Sequence, residues 1–375
     1  MDATGLDRTP LCEWHIGHGA RMVDFAGWWM PVQYASIVAE HQATRTAAGL
    51  FDVSHMGRLR FDGPGAGEFL ERMLTRSVRD LKPGRVRYSL VTDDAGGILD
   101  DVLIYRLSDA AGETYYVMVV NASNRTKIVD WLARFSEGPR RAAEASAVQL
   151  TDVTHDWAMI AVQGPRALAL AQPLVEADLS RLKYYQACET LIAGRGGIAS
   201  RTGYTGEDGC ELIVGAGVAL AIWERLVASG GAAAGLAARD TLRLEAAMPL
   251  YGHELSETIN PFQAGLAFAV DLEGRTFPGR DALVEAKKDP RLPRRIGLEV
   301  EGKRPARQGS GILHLGRKVG EVTSGTVSPT LGRPIAMGYV EPQAAVLGQH
   351  LTVDIRGQTL DARVVDLPFY RRSAS

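Results

Sequence analysis

The stretch Gly96-Gly97-Ile98-Leu99-Asp100-Asp101-Val102-Leu103-Ile104-Tyr105-Arg106-Leu107 places two carboxylates inside an apolar segment. Its run of aliphatic and β-branched residues after a glycine pair predicts a β-strand. Alternation puts Asp101 on a face with only Leu and Tyr neighbours, and Asp100 on a face that includes Arg106. Because both faces are mostly apolar, we expect the strand to be covered on both sides.

An acid in such a strand must find hydrogen-bond or charge partners, or its pKa rises. Proteins create catalytic and ligand-binding carboxylates under these conditions. The competing interpretation places one aspartate at the end of the strand, where water solvates it. From this segment alone, the two interpretations are about equally supported.

The composition is typical of a globular protein with more than one domain. The chain has 375 residues, of which 46% are hydrophobic and 23% are charged, and its formal net charge is −2. This length exceeds one ordinary core, so we expect two or three domains. Basic and acidic residues are interspersed, which argues against nucleic-acid binding as the main activity. The N-terminal residues carry early acids and no apolar segment, which predicts a cytoplasmic location without a signal or transit peptide.

The segments next to the acid pair predict a small antiparallel sheet. Strands near Val86–Val91 and Ile98–Leu107 flank a turn and form a hairpin. A third strand is expected at Thr114–Asn121, followed by a helix that Asn121 or Ser123 caps. The sequence therefore predicts that the two aspartates lie on the second of three consecutive strands.

The C-terminal part of the chain differs in character from the rest. After about Pro290, short β-like runs are separated by Gly and Pro. This pattern predicts a separate small barrel or sandwich.

Two later segments combine acids or arginines with apolar residues. Arg201-Thr202-Gly203-Tyr204-Thr205-Gly206-Glu207-Asp208-Gly209-Cys210-Glu211-Leu212 is a glycine-rich turn that carries Glu211 into an apolar strand. Ala238-Arg239-Asp240-Thr241-Leu242-Arg243-Leu244-Glu245-Ala246 places Arg239 and Arg243 one helical turn apart. In isolation, the first is equally an ordinary hairpin, and the second is most often a solvated helix face.

The chain contains neither a phosphate loop nor a dinucleotide fingerprint, and neither a nucleophile elbow nor a zincin helix. Its eight histidines have no metal-ligand spacing. The three cysteines form no CxxC pair and are predicted to be inert free thiols. The residue chemistry indicates an acid-bearing, aromatic-rich ligand site without a metal.

Several segments together resemble the glycine cleavage system T-protein family, in family order and with family spacing. They are Gly19–Trp28, Gly49–Gly57, the Gly-Gly-Ile-Leu-Asp-Asp strand, Arg201–Gly209, Ala238–Ala246, Leu250–Glu254, Asn260–Phe262 and Thr323–Gly332. They span nearly the whole chain, so the combined signal is strong although each motif alone is weak. Ala237 stands where the family usually has Gly, a difference of one methyl group beside Arg239.

The resemblance implies an α+β multidomain fold, with three domains in a clover-leaf around a central folate channel and a C-terminal β-barrel. On this basis we expect residues 1–285 to form the folate-binding aminomethyltransferase region, as two interleaved α/β subdomains. Residues 286–375 are expected to form the C-terminal barrel domain.

The resemblance also implies an aminomethyltransferase of the glycine cleavage system. Members of the family take the aminomethyl group from the lipoyl arm of H-protein and pass its one-carbon unit to tetrahydrofolate. The products are 5,10-methylenetetrahydrofolate, ammonia and the dihydrolipoyl protein. Tetrahydrofolate is a cosubstrate, no metal is needed, and neither nucleic acid nor membrane is an expected partner.

Carried over residue by residue, the family's catalytic acid falls on Asp101. It is expected to hydrogen-bond the reacting folate amine and to favour a cationic, iminium-like state. Glu211 matches the acid that binds the pterin, since a carboxylate accepts two hydrogen bonds from an aminopyrimidine edge. The folate-binding residues that the resemblance implies are Tyr88, Tyr204, Glu211, Arg239 and Tyr370.

A basic neighbourhood at the start of the C-terminal domain is a candidate surface for steering acidic H-protein toward the channel. It comprises Arg291, Arg294, Arg295, Lys303, Arg304 and Arg307. A solvated run of charges is an equally good interpretation.

Two other functions on the same scaffold are open at this point. One is a tetrahydrofolate-dependent O- or S-demethylase, whose donor pocket cannot be read from one sequence. The other is a non-catalytic folate-binding protein of iron–sulfur assembly. That group carries a Lys-Gly-Cys-Tyr-x-Gly-Gln-Glu motif, which is absent from this chain.

Overall fold

A computed structural model describes residues 5–109, 111–135 and 148–372. The described residues form two compact units. The first comprises Met1–Ser89, Asp100–Gly203 and Glu207–Arg239, and the second comprises Leu90–Leu99, Tyr204–Gly206 and Asp240–Ser375. The predicted boundary at residues 285 and 286 stays a prediction.

Helices and strands alternate through most of the described residues. In chain order, the α-helices are α1 (Cys12–Gly17), α2 (Ile37–Thr46), α3 (Ala66–Met73), α4 (Arg125–Arg134), α5 (Ala167–Ala171), α6 (Ala216–Ala228), α7 (Leu236–Glu245) and α8 (Arg280–Ala286). The strands are β1 (Arg21–Phe25), β2 (Trp28–Gln33), β3 (Gly49–Asp52), β4 (Gly57–Asp62), β5 (Arg85–Thr92), β6 (Ile98–Ser108), β7 (Thr114–Val120), β8 (Gln149–Asp152), β9 (Trp157–Gln163), β10 (Ala187–Ile192), β11 (Arg195–Ser200), β12 (Gly209–Gly215), β13 (Ala232–Ala233), β14 (Arg294–Val300), β15 (Gly311–His314), β16 (Arg317–Val327), β17 (Pro334–Val340), β18 (His350–Ile355) and β19 (Gln358–Val365).

Three sheets carry most of the strands that precede the C-terminal barrel. A five-stranded sheet has the order β5-β6-β7-β4-β8, and a six-stranded sheet has the order β10-β11-β12-β9-β3-β13. Strands β1 and β2 form a separate antiparallel pair. The strand with the acid pair, β6, therefore lies between β5 and β7, and the predicted hairpin and third strand are confirmed.

The turn between β5 and β6 explains the glycine pair that precedes the acids. Asp93 Oδ1 accepts hydrogen bonds from the backbone N–H groups of Ala95 (2.9 Å) and Gly97 (2.8 Å). Gly96 has φ +83°, which favours glycine. A Cβ at Gly97 would lie 1.9 Å from the carbonyl oxygen of Glu257, so only glycine fits there. These contacts fix the start of β6.

The expectation that β6 is covered on both sides is confirmed in its main point. On one face, Ile98, Asp100, Val102 and Ile104 are buried, with Asp100 0% exposed, and Arg106 is half-buried. The other face includes Asp101, which is partly exposed. The aspartate beside the apolar neighbours is therefore the more accessible of the two, and neither lies at a solvated strand end.

The predicted cap of the helix after β7 is wrong. A 3₁₀ turn, Ala122–Asn124, leads into α4, and neither Asn121 nor Asn124 at the two N-cap positions caps with its side chain. Asn121 instead directs its amide at the two aspartates. The Asn121 side chain donates to the two buried acids instead of capping the helix, because a buried carboxylate without hydrogen-bond donors costs more free energy than an uncapped helix end.

The second unit contains a closed barrel with the strand order β14-β17-β16-β15-β18-β19. Its interior is filled by buried aliphatic side chains that alternate along the strands, including Leu298, Ile312, Ala336, Val353 and Val364. The predicted small C-terminal β-domain is confirmed as a barrel.

Within the part of the chain that the structure describes, no helix is both long and apolar enough to cross a membrane. The three cysteines are free thiols. Cys12 and Cys210 are buried, and burial raises the pKa of both thiols.

Candidate active site

The acid pair on β6 is held by neutral donors from the neighbouring strands of the first unit. Asn121 Nδ2 lies 2.8 Å from Asp100 Oδ1 and 2.8 Å from Asp101 Oδ1, so one amide bridges both acids. Asp100 also accepts hydrogen bonds from the Asn121 backbone N–H (3.0 Å) and from Asn124 Nδ2 (2.6 Å). The Tyr88 hydroxyl, on β5, donates to Asp101 Oδ2 at 3.1 Å.

Burial sets the electrostatics of this pair. Burial and the neighbouring charge of Asp101 raise the pKa of Asp100, against the hydrogen bonds from Asn124 and Asn121. Burial also raises the pKa of Asp101, against the hydrogen bonds that Asn121 and Tyr88 donate. The donors thus favour the charged forms that burial disfavours.

A second buried acid, Glu211, lies on β12 of the same unit and is 4% exposed. The Thr202 hydroxyl donates a short hydrogen bond to Glu211 Oε2. Burial raises the pKa of Glu211, while this hydrogen bond and the positive charge of Arg239 on α7 oppose the rise. The buried Glu211 carboxylate is therefore influenced by the positive charge of the half-buried Arg239.

Tyr185 is close enough to both acids for their charges to act on its phenol. Its φ is +60°, a strained conformation for a bulky residue, and such strain concentrates at functional sites. Backbone hydrogen bonds hold it there: its N–H donates to the Arg201 carbonyl and its carbonyl accepts from the Val86 N–H, both at 2.9 Å. Burial, then the Tyr184 side chain and the charges of the two acids, raise the pKa of its phenol.

Two of the predicted folate-binding residues belong to the second unit. The Tyr204 hydroxyl donates to the Pro249 carbonyl oxygen at 2.5 Å. The Tyr370 N–H donates to the Glu245 carbonyl oxygen at 2.8 Å, and a Cβ on Gly206 would lie 3.8 Å from the Tyr370 ring. Tyr370 and the Tyr204–Gly206 turn are therefore fixed within one unit.

Of the six predicted site residues, four belong to the first unit: Tyr88, Asp101, Glu211 and Arg239. Among these four, the Tyr88 hydroxyl contacts Asp101, and the charge of Arg239 acts on Glu211. Among the described residues, no group of three or more His, Cys, Asp or Glu side chains is arranged to hold a metal ion. The arrangement offers one carboxylate on a partly exposed residue, Asp101, and one buried carboxylate, Glu211, whose charged form the positive charge of Arg239 favours.

Comparison with known proteins identifies the family. The profile described as the GCVT N-terminal domain matches residues 11–274, and the glycine cleavage T-protein C-terminal barrel domain matches residues 294–371. The chain belongs to the glycine cleavage T-protein family.

Whole-length relatives of the family agree. The aminomethyltransferase of Rubrobacter xylanophilus is 48% identical over 368 residues, which cover 98% of this chain and 95% of the relative. The aminomethyltransferase of Streptomyces coelicolor is 47% identical over 381 residues, covering 99% and 100%. The crystal structure of the glycine cleavage system aminomethyltransferase T from Bartonella henselae has a TM-score of 0.89, with 35% identity and coverage of 97% and 98%.

The T-protein matches confirm several predictions made from the sequence. The family, the α+β multidomain fold with a C-terminal barrel, and the enzyme class of aminomethyltransferase are confirmed. The two other functions considered, a demethylase and an iron–sulfur assembly protein, gain no support from these relatives. The roles of the individual site residues stay predictions.

Sequence reasoning missed Asn121 and Tyr185 as site residues of this T-protein. A partial signal for Asn121 was present, because the predicted third strand ends at this residue. The structure adds the register, in which β6 and β7 are antiparallel with Leu103 opposite Val119. Continuing this register by two residues places Asn121 opposite Asp101. Tyr185 gave no such signal, since its position depends on a loop that folds back onto β5.

Proposed function

We propose that this T-protein transfers a one-carbon unit from the aminomethylated dihydrolipoyl arm of H-protein to tetrahydrofolate, producing 5,10-methylenetetrahydrofolate and ammonia. The observation that supports it best is Asp101, a partly exposed residue whose carboxylate accepts hydrogen bonds from two neutral donors, the Tyr88 hydroxyl and the Asn121 amide. A cytoplasmic location, predicted from the sequence, is part of the same proposal.

The reaction balances without an oxidant or a reductant. The methylene carbon loses its bonds to sulfur and to the amino nitrogen and gains bonds to N5 and N10 of the folate. Of the two N–H protons of the folate, one goes to the departing ammonia and the other to the sulfur. The carbon carries positive charge as ammonia leaves, so a fixed negative charge beside it lowers the barrier.

Asp101 supplies that charge in the proposed mechanism. Its hydrogen-bond donors, Asn121 and Tyr88, orient the carboxylate and favour its ionised form. The same carboxylate accepts a hydrogen bond from the reacting folate amine. The buried framework around Asp100 keeps this geometry, since three N–H groups fix that neighbouring side chain.

Folate binding is assigned to the remaining predicted residues. Glu211 accepts hydrogen bonds from the aminopyrimidine edge of the pterin, and Arg239 helps to keep Glu211 ionised. Tyr88, Tyr204 and Tyr370 provide aromatic surface for the rings of the folate. This set contains the donors, acceptors and aromatic faces that a folate requires.

Lipoylated H-protein is the proposed partner, and the basic neighbourhood is its proposed steering surface. In the structure, Arg294, Lys303 and Arg304 are exposed, whereas Arg291 pairs with Asp289. Arg295 is half-buried and donates to the Ala247 carbonyl oxygen at 3.1 Å. Arg294, Lys303 and Arg304 are therefore the residues to reverse in charge. If the affinity for H-protein changed neither with salt concentration nor with these charge reversals, the basic neighbourhood would not be the steering surface.

The decisive test is turnover with tetrahydrofolate and aminomethylated H-protein, following methylenetetrahydrofolate and ammonia. Asp101→Asn should lose on the order of a hundredfold in turnover, about 3 kcal/mol in barrier. Asp94→Asn, in the exposed turn before β6, is the matched control and should retain full activity. If Asp101→Asn were fully active and Asp100→Asn inactive, the reacting carboxylate would be that of Asp100, and the assignment to Asp101 would be wrong.

Folate titration tests the second half of the proposal. Glu211→Ala should raise the tetrahydrofolate dissociation constant, and Glu176→Ala, an exposed acid of the same unit, should not. An unchanged constant for Glu211→Ala would remove Glu211 from the site. Tight folate binding by the wild-type chain without turnover would contradict the assigned aminomethyl donor.

A further inference from the structure

Three buried hydroxyl groups form a chain that ends on Glu211. Tyr105 lies on β6, Ser200 ends β11 and Thr202 follows it, and all three are buried. Ser200 Oγ and Thr202 Oγ1 are 2.7 Å apart, and the Tyr105 hydroxyl lies 3.5 Å and 3.4 Å from them, respectively. Thr202 then donates to Glu211 Oε2.

The hydrogen bonds along this series of hydroxyl groups can point in only one direction while Glu211 is ionised. A carboxylate only accepts, so the single hydroxyl hydrogen of Thr202 must point at Glu211. Ser200 must then donate across the 2.7 Å contact, because two hydroxyl oxygens at this distance need a hydrogen between them and the hydrogen of Thr202 already points at Glu211. Tyr105 stays protonated because burial raises the pKa of its phenol, so it donates into the same pair.

This direction affects the strength of the hydrogen bond to Glu211 and the acceptor positions that its carboxylate has left. Each hydroxyl that receives a hydrogen bond becomes a stronger donor, so the chain strengthens the last hydrogen bond. A carboxylate offers about four acceptor positions, and the Thr202 hydroxyl uses one of them on Oε2. The strand pair β11–β12 sets the geometry, since Ser200 lies opposite Glu211 in the ladder.

We propose that Thr202 is a positioning residue that orients the Glu211 carboxylate toward the aminopyrimidine edge of the folate, with Ser200 and Tyr105 fixing the direction of its hydrogen bond. The inference rests on the proposed function, because it assigns Glu211 to folate binding. It adds that affinity depends on a hydroxyl that does not touch the ligand.

The first test compares Thr202→Val with Thr202→Ser. Valine keeps the shape and removes the hydroxyl, whereas serine keeps the donor. Thr202→Val should raise the tetrahydrofolate dissociation constant about tenfold and leave turnover at saturating folate within about twofold. Thr202→Ser should lie within about threefold of wild type, and Thr359→Val, exposed on the barrel, should match wild type.

The second test asks whether Thr202 acts through Glu211. In the Glu211→Ala background, Thr202→Val should raise the dissociation constant no further, because the group that it positions is gone. A further tenfold increase there would show a purely structural role and overturn the inference. An unchanged constant for Thr202→Val beside a raised one for Glu211→Ala would also overturn it. If Glu211→Ala itself binds normally, the proposed folate site fails instead.

The pH dependence of folate binding provides a readout that simple loss of packing would not change. The groups that interact electrostatically or by hydrogen bond with Glu211 are Thr202, Arg239, Tyr105, Tyr185 and the preceding Cys210. The hydrogen bond from Thr202 favours the charged form of Glu211 and lowers its pKa. Thr202→Val should therefore raise this pKa, so that the loss of folate affinity on acidification (the acid limb) begins at a higher pH. If Thr202→Val is poorly folded, Ser200→Ala should move the limb in the same direction by a smaller amount. A limb that stays in place in both variants would contradict the proposal.

Discussion

Asp101 and Glu211 are both acids within apolar strands, and burial raises the pKa of each. Their partners differ in charge. The donors to Asp101 are the amide of Asn121 and the phenol of Tyr88, both neutral. Glu211 has a hydroxyl donor and also the positive charge of Arg239.

This difference matches the two proposed tasks. Neutral donors orient Asp101 without cancelling its charge, which therefore remains available to a cation that develops during the reaction. Arg239 balances the charge of Glu211, so that this acid serves as a fixed acceptor for a neutral ring. In the proposed function, two buried acids of one unit therefore serve a reactive site and a binding site, and the difference between them is the positive charge that acts on Glu211.

Among the partners of the two acids, the bridging amide of Asn121 is expected to have the largest effect when it is removed. Asn121→Ala leaves both aspartates without their shared donor, and turnover at neutral pH should fall about 30-fold, about 2 kcal/mol in barrier. The free energy of unfolding should also fall by about 2 kcal/mol, as for other buried groups that lose a partner. Steady-state kinetics and denaturant unfolding measure the two effects.

Asn124→Ala is the control for this variant, because Asn124 Nδ2 donates only to Asp100 in the described contacts. It should lower stability by a similar amount and turnover far less. Equal losses of turnover in the two variants would mean that the amide contact to Asp101 has no special role. The folate dissociation constant should stay within about threefold of wild type in both.

The cation beside the second acid provides the next prediction. Arg239→Gln removes the charge that opposes protonation of Glu211, so the tetrahydrofolate dissociation constant should rise about tenfold, about 1.4 kcal/mol. Turnover at saturating folate should change by less than about threefold. Arg225→Gln, on the exposed side of α6, is the control for loss of one positive charge. A large loss of turnover with unchanged affinity would reverse the roles assigned to the two acids.

The sequence predicted the strands around the acid pair because alternation, a glycine turn and short connections are local signals. Ile98–Leu107 became β6 with almost the predicted bounds, and the region after Pro290 became a barrel. The presence of an acid-bearing ligand site was also predictable, since acids are seldom buried in apolar strands and those that are buried cluster at functional sites.

Long-range placement was not predictable in the same way. The local sequence around Asn121 is typical of a helix cap. The register of β6 and β7, however, places Asn121 next to two buried acids, and its amide donates to them instead. Tyr185 depends on backbone contacts to Val86 and Arg201, which lie far from each other in the sequence. The hydroxyl chain behind Glu211 likewise joins residues from three separate segments.

The smallest expected effect concerns the phenol on Asp101. Tyr88→Phe removes a hydrogen bond that favours the charged carboxylate, so the pKa of Asp101 should rise further. The acid limb of turnover should then move to higher pH, with about a threefold loss at neutral pH that shrinks as the pH increases. Tyr184→Phe, on a half-exposed ring, should leave the profile in place. A loss that is the same at every pH would show that Tyr88 contributes packing rather than its hydroxyl, and the neutral donor set of Asp101 would then reduce to Asn121 alone.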